Sequence, residues 1–192
     1  MLAVHPLTAD RWAALTAFFG PSGAYSGCWC TWWRQTGAQY SEGCGDGAVG
    51  NRDLLGRLTA EGRVPGLMAY DGEQPVGWVS VAPRPEFGRL LRSPTLKPGP
   101  DEDPADPSVW SVVCFWVPRA RRGQGVATAL LDAAVAHAWG CGARAVEGYP
   151  VPVDGRSAAA DLFTGTASMF QRAGFRPVGD TTGARKRVQL VR

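Results

Sequence analysis

Val117-Pro118-Arg119-Ala120-Arg121-Arg122-Gly123-Gln124-Gly125-Val126-Ala127-Thr128 is the stretch whose reading decides the fold. An apolar, β-prone run over 109–117 leads into it, and an Ala/Leu/Val stretch at helical spacing over 126–138 leads out. The spacing predicts a strand, a tight Gly-rich turn and a helix N-terminus. Gly123 and Gly125 let the backbone take conformations closed to side chains and let a ligand come close to the main chain. The first N–H groups of the helix have no partner of their own and stand at the positive end of its dipole, so such a turn binds phosphate. The stretch lacks the Gly-Lys-Ser/Thr ending of a nucleoside triphosphate loop and the first glycine of a dinucleotide fingerprint, so neither of those readings fits.

At 192 residues the chain fits one domain, 1–192, large enough to bury a core without metal or disulfide staples. A net charge of +3, spread over scattered arginines, offers no nucleic-acid surface. Met1 to Pro6 has no basic region followed by an apolar one, and no apolar run approaches membrane-span length, so a soluble, cytoplasmic protein with no membrane partner is expected. Five cysteines in a reducing compartment are expected to stay free, with Cys114 and Cys141 as small buried hydrophobes. Cys28-x-Cys30 with Cys44 lacks C-x₂-C spacing, and His5 and His137 lie far off in sequence, so no metal is expected.

Working outward toward the N-terminus, Thr8 is a candidate N-cap for a helix with a face of Trp12, Leu15, Phe18 and Phe19, ended by Gly20-Pro21. Trp29, Trp32 and Trp33 put three indoles within five residues. Residues 36–50 are Gly-rich and predict a loop, and Asn51 is a candidate cap for a helix with Leu54, Leu55 and Leu58 on one face. Val64 to Tyr70, the turn Asp71-Gly72-Glu73, and Pro75 to Ala82 predict a β-hairpin. Residues 83–107 carry seven prolines and the acidic run Asp101, Glu102, Asp103 and Asp106, and predict a long solvated loop. Beyond the crossover helix, Ala143 to Tyr149 predicts a strand parallel to 109–117. A late helix over 157–173 and a closing strand near 187–191 follow.

Arg122-x-x-Gly125-x-Ala127, preceded by Val117-Pro118 and followed by Leu130-Leu131, resembles the acetyl-CoA motif of the GNAT N-acetyltransferases. Gly174-Phe175 after the late helix is similar to the pair that opens the family's final β-hairpin. The resemblance implies an α/β (α+β) single-domain fold with a central mixed, mostly antiparallel sheet of six or seven strands flanked by helices. It also implies that the fourth and fifth strands are parallel and splayed. Its co-substrate would be acetyl-CoA, held by the backbone of Phe115, Trp116 and Val117 and by Arg122, Gly123, Gln124, Gly125, Val126, Ala127 and Thr128. The implied partner is a small-molecule amine acceptor, and the protein would act as a monomer or homodimer.

An alkyl amine of pKa ~10 must lose a proton before it attacks a thioester, and the oxyanion and thiolate that follow must be stabilised. On the predicted fifth strand Glu147 and Tyr149 share a face, which makes them candidate base and acid. The alternative is that Glu147 only pairs with an arginine at the sheet edge. The family's tyrosine and asparagine slots hold Phe170 and Phe163, so the usual acid is missing, and a non-catalytic acyl-CoA-binding module is the competing reading. Trp29, Trp32 and Trp33 are candidates to bind a cationic acceptor, with the acidic run 101–106 attracting it from a distance.

Overall fold

The apolar residues on either side of Asp71-Gly72-Glu73 fold back on one another as expected, and this hairpin lies within a seven-stranded sheet. The computed structural model describes residues 2–151, 162–179 and 186–192. Its strands are β1 (Ala3–Pro6), β2 (Gly66–Asp71), β3 (Gln74–Pro83), β4 (Val109–Trp116), β5 (Ala145–Gly148), β6 (Arg176–Pro177) and β7 (Val188–Val191). They form one sheet in the order β1-β2-β3-β4-β5-β7-β6, with only β4 and β5 parallel. The helices are α1 (Trp12–Phe19), α2 (Gly37–Gly43), α3 (Gly45–Ala60), α4 (Gly88–Leu91), α5 (Val126–Gly140) and α6 (Ala167–Arg172).

The sheet separates two cores. On one face α5 buries Val126, Leu130, Leu131, Ala134 and Ala138 against Val79, Val112 and Val146. Leu130 and Leu131 are fully buried, which contributes about 1.5–3 kcal/mol each. On the other face α1 and the following segment pack Leu15, Phe19 and Trp29 onto Trp78, Val113 and Tyr149.

A β-bulge in β4 positions the site. Ser80 pairs with Cys114 and Val81 with Val112, so Val113 is an extra residue on β4. The bulge rephases the strand: Val112 and Phe115 face the α5 core, while the consecutive Val113 and Cys114 both face the other. It also turns β4 away from β5, whose pairing covers only 109–112 with 145–148. Phe170 packs where the two strands begin to part, beside Gly148 and Phe115. Its ring lies where a Cβ on Gly148 would come within 2.1 Å, and it packs edge-on against Phe115 and Phe175.

Several sequence expectations are corrected. Residues 37–43 are helical, because Thr36 and Gln39 form a capping box that starts α2, and a kink with positive φ at Asp46, Gly47 and Ala48 interrupts the start of α3. Asn51 is not a cap but a buried residue inside α3, where it donates to Gly27 O at 2.9 Å and accepts from Gln35 Nε2 at 2.8 Å. Thr8 precedes a 3₁₀ turn at Ala9–Arg11, and its hydroxyl accepts from Arg11 instead of capping a helix. The segment 83–107 is no solvated loop: Arg84, Phe87, Leu90 and Leu96 are buried. Cys141 is exposed, because it follows the last turn of α5. Of the late helix, 157–161 lie outside the described residues, and the rest forms a 3₁₀ turn, Leu162–Thr164, and α6.

Candidate active site

The splay of β4 from β5 opens a cavity of about 960 Å³. Its floor is Cys114, Phe115, Trp116 and Val117. Among the described residues the β5 side of β4 has no strand partner past Val112, so main-chain groups there short of Val117 O are available to a ligand.

At one end the cavity meets the N-terminus of α5. Gly125 is the N-cap residue in the left-handed region, φ +79°, and no side chain caps the helix. Gly123 has φ +74°, and open space lies where a Cβ would sit on either glycine. Glycine is needed here twice over, for the backbone angle and for the room. The uncapped N–H groups of a 15-residue helix fit a pyrophosphate by both hydrogen bonding and dipole. Gly123, Gly125, Val126, Ala127 and Thr128 all line this end, with Arg121 and Arg122 beside them. Arg122 Nε donates to Val117 O at 3.1 Å, which fastens the turn to the end of β4.

The other end is aromatic and sulfur-rich, lined by Trp32, Trp33, Tyr40, Cys28 and Cys30. Arg89 covers one face of Trp32 at 3.6 Å, and Tyr40 meets its ring edge-on at 4.8 Å. Burial, and then the thiols of Cys28 and Cys44, push the Tyr40 phenol up, so it stays protonated. The third wall is the 3₁₀ turn and α6, with Phe163, Thr166, Met169 and Arg172.

A family model for the GNAT acetyltransferases matches residues 29–164, which hold the aromatic end, the β4 floor and the phosphate cradle. The chain belongs to the GNAT acetyltransferase family. As such it is an acyltransferase with acetyl-CoA as donor. Among curated proteins no sequence matches it. Solved structures with similar folds include the PaiA N-acetyltransferase of Thermoplasma acidophilum in complex with coenzyme A, at 10% identity, TM-score 0.53, and coverage of 100% of this chain and 99% of that one. The GNAT domain of S. lividans PAT gives 20% identity and TM-score 0.56, over 98% and 89% of the two chains. A ribosomal-protein-alanine N-acetyltransferase from Brucella melitensis gives 16% identity and TM-score 0.53, over 99% of each.

The GNAT motif residues Phe115, Trp116, Val117, Arg122, Gly123, Gly125, Val126, Ala127 and Thr128 therefore share one cavity, along with Trp32 and Trp33. Gln124 is not among the lining residues, because its side chain turns back to donate to Ala120 O at 2.9 Å. Trp29 is also elsewhere: it is 2% exposed and packs against Trp12 and Phe19 in the second core.

Glu147 and Tyr149 do not reach the cavity either. Both are fully buried on the far side of the β4–β5 pairing. Glu147 accepts from Arg84 Nη1 at 3.2 Å, Arg187 Nη1 at 3.1 Å, Gln189 Nε2 at 3.3 Å and Tyr149 OH at 2.9 Å. Oε1 takes the two guanidinium groups and the Gln189 amide, and Oε2 takes the Tyr149 hydroxyl, so the carboxylate is bonded within the protein on both oxygens. Tyr149 OH is also 2.8 Å from Ser111 Oγ, and burial, then the Glu147 charge, hold its phenol well above the usual range. The geometry supports the alternative stated above, an arginine-paired structural carboxylate. Among the described residues, two of the four side chains of the acidic run are also ion-paired. Glu102 pairs with Arg187 and Arg84, and Asp106 with Arg144.

Tyr40 and Arg172 were missed from sequence. Tyr40 had a usable signal, the Thr36-x-x-Gln39 capping box that starts a helix in a Gly-rich stretch. Arg172 had none, since its place depends on how α6 docks against β4.

Proposed function

We propose that the protein transfers an acetyl group from acetyl-CoA directly to the primary amine of a small acceptor with an apolar body. What supports this is that the phosphate-binding turn, the unpaired edge of β4 and an aromatic end share a single cavity. In this reading the pyrophosphate rests on the first turn of α5, and pantetheine runs along Cys114 to Val117. The thioester carbonyl then meets main-chain N–H groups that stabilise its oxyanion. The amine enters past Trp32, Trp33 and Tyr40, whose rings attract an ammonium group by roughly 0.5–2 kcal/mol when partly desolvated. Because Glu102 and Asp106 of the acidic run already have arginine partners, the rings, more than that run, draw the acceptor in.

The nitrogen attacks as the free base, the C–S bond breaks, and the thiolate of coenzyme A leaves. A thiol of pKa ~8.5 is a tolerable leaving group near neutral pH, so turnover does not require the hydroxyl that Phe170 lacks. A reducing cytoplasm is the compartment in which this reading locates the protein. The test is release of free coenzyme A, followed by mass detection of the acetylated product, across a panel of primary amines with apolar, polar and polycationic bodies. Acetyl-CoA binding with no thiol release from any member would overturn the enzyme reading in favour of an acyl-CoA sensor.

A further inference from the structure

Cys28, Cys30 and Cys114 all line the acceptor end of the cavity, and acetyl transfer as proposed above uses none of them. Cys30 Sγ lies 3.5 Å from Cys114 Sγ, although the two residues are 84 apart in sequence. That is van der Waals contact, and a disulfide needs about 2.05 Å, so a closure of about 1.5 Å separates the thiol pair from a covalent bond.

The two sulfurs sit on supports of different stiffness. Cys114 is held in β4 by its pairing with Ser80 on β3. Cys30 belongs to a segment in which Ala24, Ser26, Trp29 and Cys30 all have φ between +45° and +64°. Non-glycine residues in that region each store on the order of 1–3 kcal/mol, so this wall gives way before the strand does. Cys30 also leads directly into Trp32 and Trp33, which form the acceptor wall.

We infer that Cys30 and Cys114 form an oxidisable pair, and that their disulfide ties the acceptor wall to β4 and reversibly stops turnover. With a peroxide as oxidant, one sulfur attacks the O–O bond and becomes a sulfenic acid as water leaves. The second thiol then displaces the hydroxyl as a second water and forms the S–S bond. Two electrons pass from the sulfurs to the peroxide, and both thiol protons end on water. The reaction quickens as pH rises, because only the thiolate attacks: the contact with Cys114 and burial push the Cys30 thiol up, against the contact with Cys28, and Arg34 is the charged neighbour. The sulfurs are approached through the cavity, so a bound donor shields them. This last point alone rests on the donor position proposed above.

The full-length protein is treated with hydrogen peroxide, alkylated, digested without reductant and mapped by mass spectrometry. The expected result is a peptide pair linked through Cys30 and Cys114, formed faster at pH 9 than at pH 7 and at least 5-fold more slowly with saturating acetyl-CoA. Turnover of the cross-linked protein should fall at least 10-fold and return with dithiothreitol. Cys114→Ser should resist the oxidant relative to its own untreated rate, and Cys28→Ser should remain sensitive. A Cys28–Cys30 link, over-oxidation without a cross-link, or a cross-linked protein with full turnover would overturn the inference. The same cross-link forming equally fast with acetyl-CoA supports the pair and overturns the donor position instead.

Discussion

Replacing Glu147 by Gln separates a structural carboxylate from a catalytic one. The substitution keeps the shape and removes the charge that faces Arg84 Nη1 at 3.2 Å and Arg187 Nη1 at 3.1 Å, in a position with no solvent exposure. Removing one partner of a buried ion pair costs about 3–5 kcal/mol because the other charge is left uncompensated. Here Glu102 still reaches both guanidiniums, Arg187 at 2.5 Å and Arg84 at 3.5 Å, which favours the lower end, about 3 kcal/mol. At about 2–4 °C per kcal/mol for a domain of this size, Tm should fall by about 6–12 °C. Thermal unfolding by circular dichroism gives that shift, and steady-state kinetics well below the new Tm give the rest. There kcat should stay within about 3-fold of wild type, with an unaltered pH profile. A Tm within 2 °C of wild type, together with a 100-fold loss of kcat and of the basic limb of the profile, would refute the reasoning and return Glu147 to the role of base.

Gly125→Val places a branched side chain at φ +79° and in the open space of the cradle, and should weaken acetyl-CoA binding at least 10-fold by calorimetry; equal affinity would end the cradle assignment. Trp32→Ala removes an aromatic wall of the acceptor end, and should raise the acceptor KM by about 2–30-fold with little change in acetyl-CoA affinity; an unchanged KM would move the acceptor elsewhere. Hydrogen bonds from Arg187 hold the Glu102 carboxyl down to about 2 against an ordinary 4.5, so its stabilising contribution is complete above about pH 4.5 and is lost as pH falls toward 2. The Tm should therefore be flat from pH 7 to about 5 and drop below that, and Glu102→Gln should shrink the drop; an identical acid limb in the variant would count against this ion pair.

The sequence by itself determined the donor half of the site. The glycines at 123 and 125, the apolar run before them and the helical stripe after them act through local backbone rules, so the strand, the turn and the uncapped helix could be read without knowing what packs on them. The hairpin about Asp71-Gly72 and the parallel pairing of β4 with β5 were legible for the same reason. Tertiary structure alone decided which side chains meet in the proposed acceptor half. Glu147, Tyr149 and Trp29 are the right residue types for a site, but burial and partners 63 and 40 residues away in sequence, Arg84 and Arg187, turn Glu147 into a structural charge. The bulge at Val113 reverses which residues of β4 share a face, and it leaves no mark in the pattern of a strand that is apolar apart from Ser111. Phe170 was legible as an absent hydroxyl, yet its place in the gap beside Gly148, where no Cβ would fit, is a matter of packing between elements distant in sequence. Local signals specify where the backbone offers N–H groups; which side chains meet across the cleft depends on long-range packing that no single stretch encodes.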